Sequence, residues 1–197
     1  MKKMPTLFKR VFEGHNIVDT LNEVTAGCEW VLNGEGTATE KLDGTCTYYN
    51  EDKLWRRYDA KKGKPVPANA ILCQPEADAV TGHLPCWIPC DENNPGDKWH
   101  IMAFERMKTE GYVFENGKTY ELCGVHFQNN PYSLEEDRYF KHGEKELTDV
   151  PRTYEGIKEY LRTHEIEGIV FHRGNGEMCK IKRSDFGFTW KTEKKRG

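Results

Sequence analysis

Hydrophobic and polar residues alternate over short stretches of this chain, and turn-forming residues separate the stretches, which is typical of antiparallel β structure. Residues 37–41 and 45–49 are rich in β-branched and aromatic side chains, residues 50–52 form a predicted turn, and KLWRRY is the returning strand. Between Gly63 and Gly96 the density of Pro, Gly and Asn predicts loops with short extended pieces. The pattern therefore predicts many short strands and few helices.

A second hairpin is predicted in GYVFENGKTYELCGVHF, where Asn116-Gly117 separates two β-rich runs. Its second strand carries Glu121. One amphipathic helix is predicted in TYEGIKEYLRTH, because Tyr154, Ile157 and Leu161 recur at helical spacing behind a Thr153 cap.

The last predicted hairpin is EIEGIVFHRGNGEMCKIKR, with IVF as a buried strand, Gly174-Asn175 as a two-residue turn and MCKIK as the returning strand. That turn would place Glu167 opposite Lys182 and Ile169 opposite Lys180, on one face of the hairpin. A slip of one residue would send the lysines to the other face.

Composition sets the class of protein. The chain has 197 residues, of which 37% are hydrophobic and 31% charged, so we expect residues 1–197 to form one globular domain. No apolar run is long enough to span a membrane, and no signal peptide follows the basic N-terminus. Seven irregularly spaced cysteines favour reduced thiols. We expect an intracellular protein, cytoplasmic or nuclear and not secreted, with no membrane partner.

The net charge of −3 argues against a protein that coats nucleic acid through bulk charge, although both ends of the chain are locally basic. Three short patterns carry candidate chemistry: Lys41-x-Asp43-Gly44, Glu121 on its strand, and Glu167-Gly168 followed by Lys180-x-Lys182. Each alone is weak. A lone Lys-x-Asp-Gly is usually a turn with a solvated lysine, and strand lysines commonly protect a sheet edge.

Together, and in this order, the patterns resemble the motifs of the covalent nucleotidyltransferase superfamily, which includes ATP-dependent polynucleotide ligases and capping enzymes. Those motifs are KxDG, a downstream arginine, a glutamate strand, EG with apolar residues, and KxK. The segments ATEKLDGTC, LWRRYD, TGHLPCWIP, YELCG and EGIVFHRGNGEMCKIKRSDFG look most like the small RNA ligase 1 family of 5′-to-3′ RNA ligases. The resemblance extends from about Gly27 to Gly187.

The resemblance implies an α+β nucleotidyltransferase (ligase adenylation) fold, with antiparallel sheets, flanking helices and a nucleotide cleft. Larger relatives continue past the last motif, so we expect a minimal catalytic core without a C-terminal oligonucleotide-binding barrel. The implied activity is ATP-dependent joining of RNA 5′-phosphate and 3′-hydroxyl ends through lysyl-AMP and adenylated RNA, in RNA repair. The protein is expected to act as a monomer.

The same resemblance assigns roles to residues. Lys41 is the implied nucleophile, and its pKa must be lowered, with Lys180 and Lys182 as suitable neighbouring cations that also contact the α-phosphate. Mg²⁺, with Mn²⁺ as an alternative ion, is the implied metal. The remaining implied roles are adenine contact for Glu40, support of the turn or a metal-bound water for Asp43, close approach to a phosphate for Gly44, the RNA 5′-phosphate for Arg57, the ribose or a metal-bound water for Glu121, and Mg²⁺ for Glu167.

Other functions stay open on the sequence. A GTP-dependent capping guanylyltransferase and a DNA ligase share the core motifs, and a catalytically silent nucleotide- or RNA-binding module is the alternative of another class. Zinc binding by His83, Cys86 and Cys90 is a further hypothesis, although their spacing matches no standard zinc knuckle.

Overall fold

The computed structural model of the chain describes residues 2–14, 16–79 and 81–191. Within these ranges the strands are β1 (Phe8–Glu13), β2 (Asn16–Val24), β3 (Thr37–Lys41), β4 (Thr45–Asn50), β5 (Lys53–Ala60), β6 (Ile71–Leu72), β7 (Leu84–Pro89), β8 (Lys118–Cys123), β9 (Arg138–Lys141), β10 (Gly168–His172) and β11 (Met178–Lys182). The helices there are α1 (Glu29–Leu32), α2 (Lys98–Thr109) and α3 (Tyr154–Thr163), with short 3₁₀ helices at Pro95–Asp97 and Arg183–Phe186.

The chain divides into two compact units. The terminal unit comprises Met4–Leu42 and Gly143–Gly197, and the central unit comprises Met1–Lys3 and Asp43–His142. Each has a hydrophobic core of its own. The expectation of one domain stays a prediction.

The terminal unit is built on a small sheet with the strand order β11-β10-β3, paired antiparallel. One face of this sheet is apolar and lies in the core with α3, whose Ile157 and Leu161 are fully buried. α3 begins at the predicted cap, because the Thr153 side chain accepts a hydrogen bond from the Gly156 N–H. β1 and β2 form a separate antiparallel ribbon in the same unit.

The central unit is built on a large sheet with the antiparallel strand order β6-β7-β5-β4-β8-β9. Helix α2 packs on it through buried residues at positions i, i+3, i+4 and i+7, namely His100, Ala103, Phe104 and Met107. The core between them is aromatic: Phe114 lies 4.6 Å from Phe104 and 5.1 Å from Tyr120, ring centre to ring centre.

Several predicted elements are confirmed. The stretches 37–41 and 45–49 are strands, the turn lies at residues 51–52, and KLWRRY opens β5. Helix α3 and its Thr153 cap are also confirmed. The mixed architecture of antiparallel sheets and few helices agrees with the α+β class at this coarser level.

The predicted hairpin around Asn116-Gly117 is wrong. The turn exists, and β8 follows it, but residues 112–115 are not a strand. Phe114 is buried in the aromatic core, and the Glu115 N–H donates to the Tyr120 hydroxyl, so this segment packs by its side chains instead of pairing. β8 pairs with β4 and β9.

The register of the last hairpin differs by one residue from the prediction. Lys182 is opposite Gly168 and Lys180 is opposite Val170, not Glu167 and Ile169. The loop holds one residue more than predicted, because the Arg173 N–H donates to the Glu177 carbonyl and Gly174, Asn175 and Gly176 lie between them. Both of these glycines have positive φ, 89° and 91°, which other residues rarely adopt.

The seven cysteines, all within the described ranges, are free thiols, as expected for reduced cysteines. None of the helices in those ranges combines the length and apolar character needed to span a membrane.

Candidate active site

The outer face of the small sheet carries two rows of side chains. Gly168 in the middle strand has Lys41 as its partner on one side and Lys182 on the other. In the next row Val170 lies between Thr39 and Lys180. Since direct cross-strand partners share a face, the three lysines project from the same side of the sheet.

The opposite face explains this arrangement. The residues that alternate with the outer face are buried apolar side chains, namely Ala38, Ile169, Phe171, Cys179 and Ile181. The period of two in a strand therefore leaves the lysines on the side away from the core. The one-residue correction in register is what puts Lys180 and Lys182 on this side.

Glu167 binds two of these lysines. Its Oε2 lies 2.5 Å from Nζ of Lys41 and its Oε1 lies 2.7 Å from Nζ of Lys182. The glutamate is only 3% exposed. A buried carboxylate between two ammonium groups is stabilised by charge-assisted hydrogen bonds, and it fixes the positions of both lysine side chains.

Gly168 allows β10 to lie very close to β11 beside Glu167. A Cβ at this position would collide with the Ile181 carbonyl oxygen and would lie 3.0 Å from the Lys182 Cα. Gly168 has no side chain, so nothing from this position projects between the two flanking lysines. The Lys182 end of β11 is held in turn by its backbone N–H, which donates to Asp185.

The surroundings of Lys180 disfavour its charged form. Burial lowers its pKa to about 8, and the positive charges of Lys41, Lys182 and Arg10 act in the same direction, while Glu167 opposes them. A lysine of this kind has a strong electrostatic preference for a nearby anion.

Glu40 belongs to the other face of β3, opposite Ile169. Its N–H donates to the Lys145 carbonyl, and its Oε2 lies 3.5 Å from Nζ of Lys145. The structure thus pairs Glu40 with Lys145 and not with the lysines of the outer face.

The central unit holds a second group of the predicted residues. The Gly44 N–H donates to Oε1 of Glu121 over 3.0 Å, and the Asp43 N–H donates to the Tyr132 hydroxyl. A Cβ at Gly44 would collide with the Leu122 carbonyl oxygen, so only glycine allows the turn to lie against β8. Glu121 is 8% exposed.

Two further residues contact Glu121 and were not predicted from the sequence. Nε2 of His142 lies 2.9 Å from Oε2 of Glu121, and Cys46 is the direct partner of Glu121 across β4 and β8. Burial and the Glu121 charge raise the pKa of Cys46 well above its ordinary value. The cross-strand partner could have been found from a correct strand pairing, whereas nothing in the local sequence marks His142.

Adjacent arginines of β5 have different partners. Arg56 forms a 2.5 Å ion pair with the buried Asp97. Arg57 forms a 2.8 Å ion pair with the exposed Asp59, and its guanidinium lies 5.7 Å from the centre of the Trp87 ring. Neighbouring side chains of a regular strand point to opposite faces, and the different partners of Arg56 and Arg57 agree with this expectation.

The hypothesis of a zinc site at His83, Cys86 and Cys90 gains no support. In the part of the chain that the structure describes, the donor group of three or more that could hold a metal is Cys46, Glu121 and His142. Cys86 instead donates its thiol hydrogen to the Tyr58 carbonyl.

Carboxylate oxygens are the donors that Mg²⁺ prefers, and Glu167 supplies two of them beside three lysines. Both oxygens already contact ammonium groups, so a phosphate that drew one lysine away would free an oxygen for the ion. The donor chemistry of Glu167 therefore fits a magnesium ion that arrives with a phosphate ligand.

Comparisons with known proteins point to one family. The family model described as RNA ligase 1 matches residues 112–196. The RNA ligase 1 of Rattus norvegicus is 27% identical over an alignment of 273 positions, gaps included, that covers 96% of this chain and 82% of that protein. Those of Pongo abelii and Danio rerio are 25% and 26% identical, covering 77% and 78% of this chain and 67% and 68% of those proteins. The resemblance seen in the motifs is confirmed.

Proposed function

We propose that this chain, which is similar to the RNA ligase 1 family over most of its length, is an ATP-dependent RNA ligase that works through a lysyl-AMP intermediate. The observation that carries the proposal is the contact of Lys41 and Lys182 with the two oxygens of the buried Glu167. A binding module has no need of a lysine held in this way next to further cations.

In the first step the neutral amine of Lys41 attacks the α-phosphorus of ATP. A nitrogen–phosphorus bond forms, the bond to the bridging oxygen breaks, and pyrophosphate leaves with the electron pair. The attacking amine must first lose a proton, and Oε2 of Glu167, 2.5 Å away, is positioned to accept it.

Lys180 and Lys182 neutralise the charge that develops on the α-phosphate. Both lie on the same sheet face as Lys41, so a phosphate at Lys41 would meet positive charge from neighbouring positions. Mg²⁺, or Mn²⁺ in its place, would be held by Glu167 and would neutralise phosphate charge during the transfer. A bound phosphate would compete with Glu167 for Lys41 and Lys182. Glu167 would then orient the lysine with which it stays in contact.

The residues of the central unit receive supporting roles in this proposal. Gly44 would let a phosphate approach the backbone, Asp43 would support the turn or a metal-bound water, and Glu121 would contact the ribose or a metal-bound water. Glu121 suits a fixed contact, because Gly44 and His142 orient its carboxylate. Glu40 would contribute to the adenine contact after leaving Lys145.

In the second step the 5′-phosphate of an RNA attacks the phosphorus of lysyl-AMP, and the Lys41 amine leaves, giving a 5′–5′ pyrophosphate. In the third step an RNA 3′-hydroxyl attacks the RNA phosphorus, and AMP leaves with the electron pair. Arg57 would bind the RNA 5′-phosphate, since its fork of N–H donors suits a phosphate. Its present partner, Asp59, is exposed, so a phosphate could replace it.

Four substrates and two nucleotides test the proposal. The protein is incubated with Mg²⁺ and ATP or GTP, together with 5′-phosphorylated RNA or DNA and an RNA or DNA 3′-hydroxyl acceptor. We expect joining only with ATP and RNA ends. Labelling by GTP would indicate capping chemistry, joining of DNA alone would indicate a DNA ligase, and binding of ATP without joining or labelling would indicate a silent module. The Lys41→Ala variant should neither be labelled nor join RNA. Its matched control is Lys9→Ala, because Lys9 is also a lysine in an ion pair, but an exposed one, with Glu23.

A further inference from the structure

Three side chains of the central unit form a compact group of different chemical kinds. The Sγ of Cys46, a carboxylate oxygen of Glu121 and a ring nitrogen of His142 all lie within 4.8 Å of one another. They come from β4, from β8 and from the residue that follows β9, so neighbouring strands of the large sheet hold them. Glu121 is buried and the other two are half-buried.

Hydrogen bonds outside the group orient two of the three donors. Oε1 of Glu121 accepts from the Gly44 N–H, which leaves Oε2 directed at the His142 ring. Nδ1 of His142 lies 2.9 Å from the Thr119 hydroxyl, and the His142 backbone N–H donates to the Thr119 carbonyl. Such outer partners fix the ring and its tautomer in metal sites of proteins.

We propose that Cys46, Glu121 and His142 bind one Zn²⁺ ion. Nε2 of the neutral His142 ring binds the ion in place of its contact with Oε2 of Glu121, and the single ring hydrogen then lies on Nδ1 and is donated to the Thr119 hydroxyl. A proton carried by Nε2 before binding is released to solvent. The Cys46 thiol gives its proton to solvent on binding, and the two anionic donors balance the charge of the ion.

The donor set selects the metal. Thiolate, imidazole and carboxylate together suit Zn²⁺, whereas Mg²⁺ prefers oxygen donors alone. Three protein ligands leave one position of a tetrahedral site for water. Burial keeps the pKa of Cys46 raised, so the thiol is neutral before the ion binds and its deprotonation is coupled to binding. Binding of the ion needs neither ATP nor RNA, so it can be measured apart from ligase activity, although the site shares Glu121 with the proposed function.

Cobalt titration tests the proposal on the full chain after removal of metals with a chelator. Co²⁺ bound by a thiolate gives a charge-transfer absorption band, and in a tetrahedral site it gives intense visible bands. We expect both bands, saturating at one equivalent and disappearing when Zn²⁺ is added. The Cys46→Ser variant should lose the charge-transfer band, and Thr119→Val should weaken Co²⁺ binding by about tenfold or more.

Cys90→Ser is the matched control, because this half-buried cysteine lies outside the group and belonged to the alternative zinc hypothesis. It should keep both bands. Absence of the charge-transfer band in the unaltered protein, or its persistence in Cys46→Ser, would overturn the proposal. Because Cys46→Ser could alter folding, His142→Asn is a second variant, and unchanged bands in it would equally overturn the site. Far-ultraviolet circular dichroism establishes which variants are folded.

Discussion

Nζ of Lys41 lies 2.5 Å from Oε2 of Glu167, although 126 residues separate the two in the chain. β3 and β10 are antiparallel neighbours, and their register places Lys41 directly beside Gly168, the residue after the glutamate. The ion pair is therefore a product of strand pairing.

Glu167→Gln should destabilise the protein by about 2 kcal/mol. The amide keeps the shape of the side chain but cannot balance the two ammonium groups that the carboxylate now binds. Urea denaturation gives the change in the free energy of unfolding. The matched control is Glu23→Gln, because that carboxylate also binds a lysine, at 2.8 Å, but is 56% exposed. It should cost less than about 1 kcal/mol, and equal losses in the two variants would contradict the account.

Gly168→Ala should cost about 1–3 kcal/mol of stability and should lower AMP transfer to the protein. The added Cβ meets backbone atoms of Ile181 and Lys182, so β10 and β11 must move apart where Lys182 is held. Thermal unfolding and adenylation are measured together. Gly96→Ala is the control, because its nearest neighbour is a side-chain oxygen 3.3 Å away. A Gly168→Ala protein as stable as this control would be the contrary result.

Stability should rise with pH between about 8 and 10.5 through Lys180. The folded protein lowers the pKa of this lysine from 10.5 to about 8, so in that interval the unfolded chain binds more protons than the folded one. The free energy of unfolding then increases with pH. Lys180→Met should lose this part of the increase, whereas Lys9→Met, at an exposed lysine, should retain it. Denaturation of the three proteins across this interval checks the sign, and parallel curves for Lys180→Met and the unaltered protein would contradict it.

Arg56→Ala should lower the stability of the protein, whereas Arg57→Ala should lower its activity. Loss of Arg56 leaves the buried Asp97 without its 2.5 Å counter-charge and should cost about 2–3 kcal/mol. Arg57 pairs with an exposed aspartate, so its loss should change stability little but slow the transfer of AMP to RNA. Denaturation and a single-turnover assay starting from the adenylated protein separate the two effects. A purely structural effect of Arg57→Ala would remove its proposed role.

The sequence predicted correctly those elements that are determined by residues close together in the chain. β4, β5 and their turn, and helix α3 with its Thr153 cap, follow from side-chain periodicity and capping within one stretch of chain. Helix α2 was not predicted, although its buried positions have helical spacing, and the β1–β2 ribbon was not predicted either. Residues 112–115 looked like a strand because aromatic residues favour both strands and cores, and only tertiary packing decides between them.

The candidate site shows the same limit. The motifs identified Lys41, Glu167 and Lys182, which the structure brings into contact, while the chemical roles of these residues stay predictions. The length of the loop between β10 and β11 decides on which face of the sheet Lys180 and Lys182 lie. The sequence GNG is compatible with a loop of two or of three residues, so it did not determine that face. His142 could not be found, because its contact with Glu121 follows from the pairing of β8 with β9 and from no local signal.

The most direct test of the central claim is the intact mass of the protein after incubation with ATP and Mg²⁺. The unaltered protein and Lys9→Ala should each gain one AMP, released by acid as expected for a phosphoramidate, and peptide mapping should locate it on Lys41. The Lys41→Ala variant, checked for folding by circular dichroism, should gain none. An adduct that persists in Lys41→Ala, or its absence from the unaltered protein, would contradict the proposed chemistry.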